Sequence, residues 1–176
     1  LPRKGLAEVK KVLAKAGGES EPVEFLLEGN VAKVTCGAVE LAMALIDGEF
    51  PDYRQVIPKQ GKILLPLARE EFLGALARVS VIANERARGV KLTLRAGSLE
   101  LRTSNPDAGE ATDEIEIEYS GPELSIGFNA RYLAEVLGVI SSAEKIEFSL
   151  SDDASPGVVR AENDERFTYV VMPMRL

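Results

Sequence analysis

The feature that most constrains this chain is a recurrence. One helix-like segment followed by three strand-like segments occurs three times, with helix starts near residues 2, 69 and 130, spaced 67 and 61 residues apart. In the first round, residues 2–16 place Leu6, Val9, Leu13 and Ala16 on one helical face, with Pro2 in the first turn and Gly17-Gly18 as a stop. Lys4, Glu8, Lys11 and Lys15 share the opposite face, and strands are expected near 22–28, 31–36 and 38–46. The second round predicts a strand at 62–66, a helix over 69–83 carrying Phe72, Leu73, Leu76, Val79 and Ile82, and strands at 89–95, 98–104 and 111–119. The third predicts a strand at 123–127 and Asn129 as the N-cap of a helix with Tyr132, Leu133, Val136, Leu137 and Ile140; strands follow near 145–150, 157–162 and 167–172.

One such unit has a single helix and a small sheet, each with a face to bury, so two units must pack together to close a core. The reading is therefore α+β: one complete domain of two helix-plus-sheet half-units at 57–176, preceded by an orphan half-unit with its connector at 1–56. The orphan's mate is expected upstream of Leu1, which would make this the C-terminal piece of something longer.

Composition narrows the chemistry. With no His and one Cys in 176 residues, the chain itself cannot supply a Ser-His-Asp or Cys-His triad, a four-cysteine or histidine zinc site, or an internal disulfide. Cys36 reads as a small buried residue in a strand. The net charge of -7 is unevenly spread. Arg3, Lys4, Lys10, Lys11 and Lys15 face only Glu8 in the first helix, whereas residues 107–123 hold seven acids and no base. That pattern suits a basic face for a polyanion and an acidic edge for a basic partner. The absence of a long apolar run or a signal-like start predicts a cytoplasmic protein.

Several motifs together are more specific. Phe50-Pro51-Asp52-Tyr53-Arg54, the segment 84–90 (Asn-Glu-Arg-Ala-Arg-Gly-Val), Gly127-Phe128-Asn129 and above all Tyr169-Val170-Val171-Met172-Pro173-Met174-Arg175-Leu176 resemble the bacterial DNA polymerase III sliding clamp, the beta subunit. The resemblance covers the whole chain and implies the DNA-clamp fold. By it, residues 1–56 are the C-terminal half of the family's middle domain and 57–176 its C-terminal domain. It further implies a full-length protomer of six half-units, and two such protomers closing head to tail as a ring homodimer around duplex DNA. The implied role is a non-catalytic processivity factor of the bacterial cytoplasm, associated with the nucleoid and without cofactor or membrane contact.

The resemblance implies three surfaces. Lys4, Lys11 and Lys15, with Arg78, Arg86, Arg88 and Arg131, would face DNA without reading its bases. Pro51, Gln55, Val56, Asn129, Tyr132, Ala154, Pro156, Val170, Met172, Pro173 and Met174 would line a cleft for short linear motifs of polymerases, the clamp loader and repair proteins. Gln55 stands where the family often has arginine, and Pro156 where a small hydroxyl residue is common. Val81, Ile82, Asp107, Glu110 and Asp113 would meet the neighbouring subunit. Two other readings are weighed: Asp152-Asp153 and the acids of 162–165 as a divalent-cation site of an enzyme, and a truncated clamp that acts as a regulator or decoy without encircling DNA.

Overall fold

The structure, a computed structural model, describes residues 1–15, 22–49, 52–58, 61–83, 88–164 and 166–176. It divides into two compact units, Leu1–Pro51 and Asp52–Leu176. Among the described residues there are three α-helices and three antiparallel sheets, an α+β fold.

The first unit holds α1 (Arg3–Lys15) and the sheet β1 (Val23–Glu28), β2 (Val31–Cys36) and β3 (Val39–Ala44), in the order β1-β2-β3. Gly29 and Gly37 sit at φ +56° in the two hairpin turns, a conformation that glycine adopts without a steric penalty. β2 alternates buried and half-buried residues, and Ala32, Val34 and Met43 form a small core on which Val9 packs. Cys36, at the end of β2, is buried as a free thiol. The helix departs from expectation: Leu6 and Leu13, assigned to the inward stripe, remain 48% and 43% exposed, and no α1 residue is fully buried. The half-buried positions are Gly5, Val9 and Val12. A single three-stranded sheet can cover one flank of an apolar stripe; the other needs a second layer.

The second unit has that layer. A short 3-10 helix, Tyr53–Gln55, is capped by Asp52, whose side chain accepts from the Arg54 N–H. There follow β4 (Ile63–Ala68), α2 (Arg69–Ser80), β5 (Gly89–Arg95), β6 (Ser98–Asn105) and β7 (Gly109–Glu116). The pattern then repeats as β8 (Leu124–Asn129), α3 (Ala130–Val139), β9 (Lys145–Leu150), β10 (Gly157–Ala161) and β11 (Tyr169–Val171). The two repeats interlock because each sends its leading strand into the other's sheet. β4 pairs with β9 and β8 with β5, giving the orders β11-β10-β9-β4 and β7-β6-β5-β8. Pro66 is tolerated because β4 is an edge strand.

Phe72, Phe128 and Phe148 meet at the centre, with ring centroids 6.1 Å (Phe72 to Phe148) and 5.6 Å (Phe128 to Phe148) apart. Each fully buried side chain of this size contributes roughly 1.5–3 kcal/mol relative to exposure. Paired bonds join the repeats: the Arg69 N–H donates to the Glu144 carbonyl at 2.9 Å, and the Ala130 N–H to the Arg88 carbonyl at 2.8 Å. Buried Arg69 adds bonds to the carbonyls of Ala143 and Leu137, at 2.9 and 3.0 Å, and an ion pair with Glu70.

Several boundaries differ from the expected ones. α2 ends at Ser80, not 83, because Val81 and Ala83 donate to carbonyls three residues back and tighten the last turn. The strand expected at 111–119 is β7 at 109–116; its tail turns aside to exchange backbone bonds between Ile117, Tyr119 and Gly97. The strand expected at 167–172 is reduced to Tyr169–Val171, since the following residues leave β10 and reach β8, where the Met174 N–H donates to the Gly127 carbonyl at 2.8 Å.

Candidate functional site

The last strand and the first turn of α3 together frame an open cleft of about 590 Å3. Asn129 ends β8 and caps α3: its side-chain oxygen accepts from the N–H groups of Arg131 and Tyr132, at 3.0 and 3.4 Å. This cap sets the direction in which the first turn projects Tyr132, which stays 50% exposed. Across the cleft run Val170, Met172, Pro173 and Met174, with Met172 61% exposed. The sequence-predicted residues Asn129, Tyr132, Val170, Met172, Pro173 and Met174 thus share one cavity.

Glu135, Tyr169 and Val171 also line it, and these were not anticipated. Glu135 was findable, since it lies three residues beyond Tyr132 on the same helix face. Tyr169 and Val171 were not, because strand alternation assigns them to the side opposite Val170; β11 lies at the sheet edge and offers both sides. Burial raises the Tyr169 phenol above its ordinary value, and the neighbouring Glu135 and Tyr132 add to the rise. Glu135 also accepts from Arg131 at 2.6 Å. An apolar floor with two phenols and one carboxylate on its rim brings no nucleophile–base pair together, and its shape and lining suit an extended apolar segment.

The remaining predicted residues fall elsewhere or outside the description. Pro51 and Arg86 lie outside the described residues. Gln55 and Val56 sit at the end of the 3-10 helix, and Ala154 and Pro156 in the loop after β9; none of these four lines the 590 Å3 cleft. That loop is shaped by Asp152, which accepts from the Ala154 N–H and from the Ser155 N–H and hydroxyl, at 3.0, 2.7 and 2.9 Å. These bonds, the Ser155 hydroxyl first, hold its carboxyl below the usual range. No group of acids, cysteines or histidines suited to a metal ion occurs among the described residues.

Lys4, Lys11 and Lys15 are exposed along α1, with Lys11 paired to Glu8 at 2.7 Å. Arg88, at φ 46°, and Arg131 share a second groove, of about 380 Å3, with Val81 between α2 and α3. Arg78 is paired to Asp113 at 2.6 Å. Among the residues assigned to a subunit joint, Val81 is 82% exposed. The Ile82 carbonyl accepts from Asn105, whose oxygen in turn accepts from the Asp107 N–H, so Asn105 ties the end of α2 to the acidic turn. Glu110 pairs with Arg102. No helix among the described residues is long and apolar enough to cross a membrane.

Comparison with known proteins gives this arrangement a family. The beta sliding clamp of Pseudomonas aeruginosa is 39% identical over all 176 residues, which cover 47% of its length. That of Escherichia coli K12 is 34% identical over the same span. Among solved structures, the P. aeruginosa DNA polymerase III subunit beta superposes with a TM-score of 0.90 at 38% identity, over all of this chain and 47% of that one. A Bartonella birtlesii sliding clamp bound to griselimycin superposes at 0.89, also at 38% identity, with 46% of its chain covered. The chain thus spans about half the length of the relatives it matches. Residues 54–175, which contain the whole cleft, match the model of the "DNA polymerase III beta subunit, C-terminal domain", and the chain belongs to this family of sliding clamps.

Proposed function

We propose that the 590 Å3 cleft captures an extended segment of a replication partner, such as a polymerase, a clamp loader or a repair protein, and that the chain is part of a processivity factor. The observation that carries this reading is the meeting of Tyr132 and Asn129 with Met172, Pro173 and Met174 in one open, apolar cavity. Methionines flanking a proline give a deformable floor that fits more than one apolar side chain. In this reading Gln55, Val56, Ala154 and Pro156 serve as an outer rim, and residues 57–176 form the clamp's C-terminal domain. The role is binding without catalysis, in the bacterial cytoplasm.

We further infer that in an assembled ring homodimer Lys4, Lys11 and Lys15, together with Arg78, Arg88 and Arg131, face duplex DNA. Val81, Ile82, Asp107, Glu110 and Asp113 would then lie at the joint. Exposure of the lysines supports the first assignment and exposure of Val81 the second. Attraction to phosphates alone leaves a ring free to slide.

The test is a titration of griselimycin, held by a relative's structure, and of a labelled peptide carrying adjacent Leu and Phe side chains. Both are expected to bind and to compete. Tyr132→Ala and Met172→Ala are each expected to weaken binding about 10-fold, near 1.4 kcal/mol. Undiminished binding by both variants would move the site elsewhere.

A further inference from the structure

The segment Met172–Met174 is a span between two anchors. On one side β11 pairs with β10, with Val170 opposite Val158 and Val171 opposite Gly157. On the other, the chain crosses to β8, the edge strand of the second sheet, where the Met174 N–H bonds to the Gly127 carbonyl and Leu176 lies over Gly127 and Gly89. Neither glycine has the left-handed backbone that would call for glycine; the positive-φ glycines of the chain are at other positions. What these two sites lack is a Cβ, and the room it leaves is occupied. A Cβ at Gly127 would meet the Met174 carbonyl oxygen well inside contact distance and Leu176 Cγ and Cδ1 at 2.8 and 2.9 Å. One at Gly89 would collide with Leu176 Cδ2.

We propose that Gly127, Gly89 and Leu176 form a positioning slot that holds the Met172–Met174 floor of the cleft in register; this rests on the peptide-binding reading above. The slot touches no ligand. It acts by fixing the far end of the span, as the β10–β11 pairing fixes the near end, so that Met172 does not have to be ordered when an apolar side chain arrives. If loss of the far anchor leaves the floor correctly placed about a tenth of the time, apparent affinity falls about 10-fold.

The two glycines differ in kind. At Gly127 the obstacle is backbone, which must move; at Gly89 it is the end of a flexible Leu side chain, which can swing away. The 176-residue chain is therefore titrated with griselimycin and with the Leu/Phe peptide as Gly127→Ala, Gly89→Ala, Leu176→Ala, the Gly89→Ala/Leu176→Ala double variant, and a chain ending at Pro173 with and without Gly127→Ala. Gly127→Ala and Leu176→Ala are expected to weaken binding about 10-fold, and Gly89→Ala less. Gly89→Ala should have no added effect once Leu176 is Ala, nor Gly127→Ala once the chain ends at Pro173. Such non-additivity separates positioning from general damage to the sheet.

A ligand-free readout accompanies the titrations. The methyl NMR signals of Met172 and Met174 should shift in Gly127→Ala while Met43, in the other unit, stays in place. If the parent chain binds and the variants bind equally well, or if the double variants are additive, the slot has no positioning role. Should the parent chain bind neither probe, the peptide reading fails by itself. The methyl spectra then decide the slot: unmoved Met172 and Met174 signals overturn it.

Discussion

The first helix and the two helices of the second unit carry the same pattern and meet different fates. Counted from the helix start, Leu6, Val9 and Leu13 of α1 occupy the positions of Phe72, Ala75 and Val79 in α2 and of Leu133, Val136 and the C-cap Ile140 of α3. The six residues of the second unit are buried, while Leu6 and Leu13 are exposed. Arg3 and Arg69 both open their helices, yet Arg69 is buried on the carbonyls of Ala143 and Leu137 and Arg3 is exposed. The strand after the helix follows suit: β1 is exposed along its whole length, including Phe25, Leu26 and Leu27, whereas its counterpart β5 is largely buried and is paired on its far edge by β8. A half-unit thus has two apolar flanks, and its own sheet covers only one.

Equal substitutions at equal positions should break or sharpen this contrast. The largest effect is expected from Leu133→Ala, about 2–5 kcal/mol of destabilisation in the second unit, against well under about 1 kcal/mol for the exposed Leu6→Ala. Native-state hydrogen exchange resolves the two units separately, and comparable costs at both sites would dissolve the comparison. The same experiment on the parent chain should find the amides of β1 to β3 opening more readily than those of β5 and β9, because fewer buried contacts hold them. Next is Arg69→Met, which leaves buried carbonyls without their donor and is expected to cost about 2–3 kcal/mol, while Arg3→Met should be within about 0.5 kcal/mol of neutral. Asn129→Ala removes a cap worth about 1 kcal/mol, read as faster exchange in the first turn of α3.

The smallest effect concerns pH. Burial raises the Tyr169 phenol above its ordinary 10.0, so the folded state holds this proton more tightly than the unfolded chain does. The resulting stabilisation is complete below pH 10 and is lost as pH rises through the folded value. Probe binding to the cleft should weaken over that alkaline window, and Tyr169→Phe should remove this dependence. A Tyr169→Phe profile identical to the parent's would assign the titration to another group.

Periodicity and turn chemistry operate over a few residues, which is why much of this protein is legible without coordinates. The three-fold recurrence, the helix starts at 69 and 130, the Asn129 cap and the apolar stripes follow from local spacing. The pairing of the last two repeats into an α+β domain follows from each unit's need to bury two flanks. Gathering Tyr132 and Met172 in one cleft came through the specific residues of 169–176 that resemble a known family, not through spacing. Tertiary structure alone decided which stripe is covered, since burial depends on what lies opposite. It likewise decided that an arginine at the head of α2 closes the end of α3, that Glu135 and both sides of an edge strand join the cleft, and that two glycines far apart in sequence leave room for one leucine. Each of these is a contact between segments tens of residues apart, whose partner is fixed only when the sheets interlock.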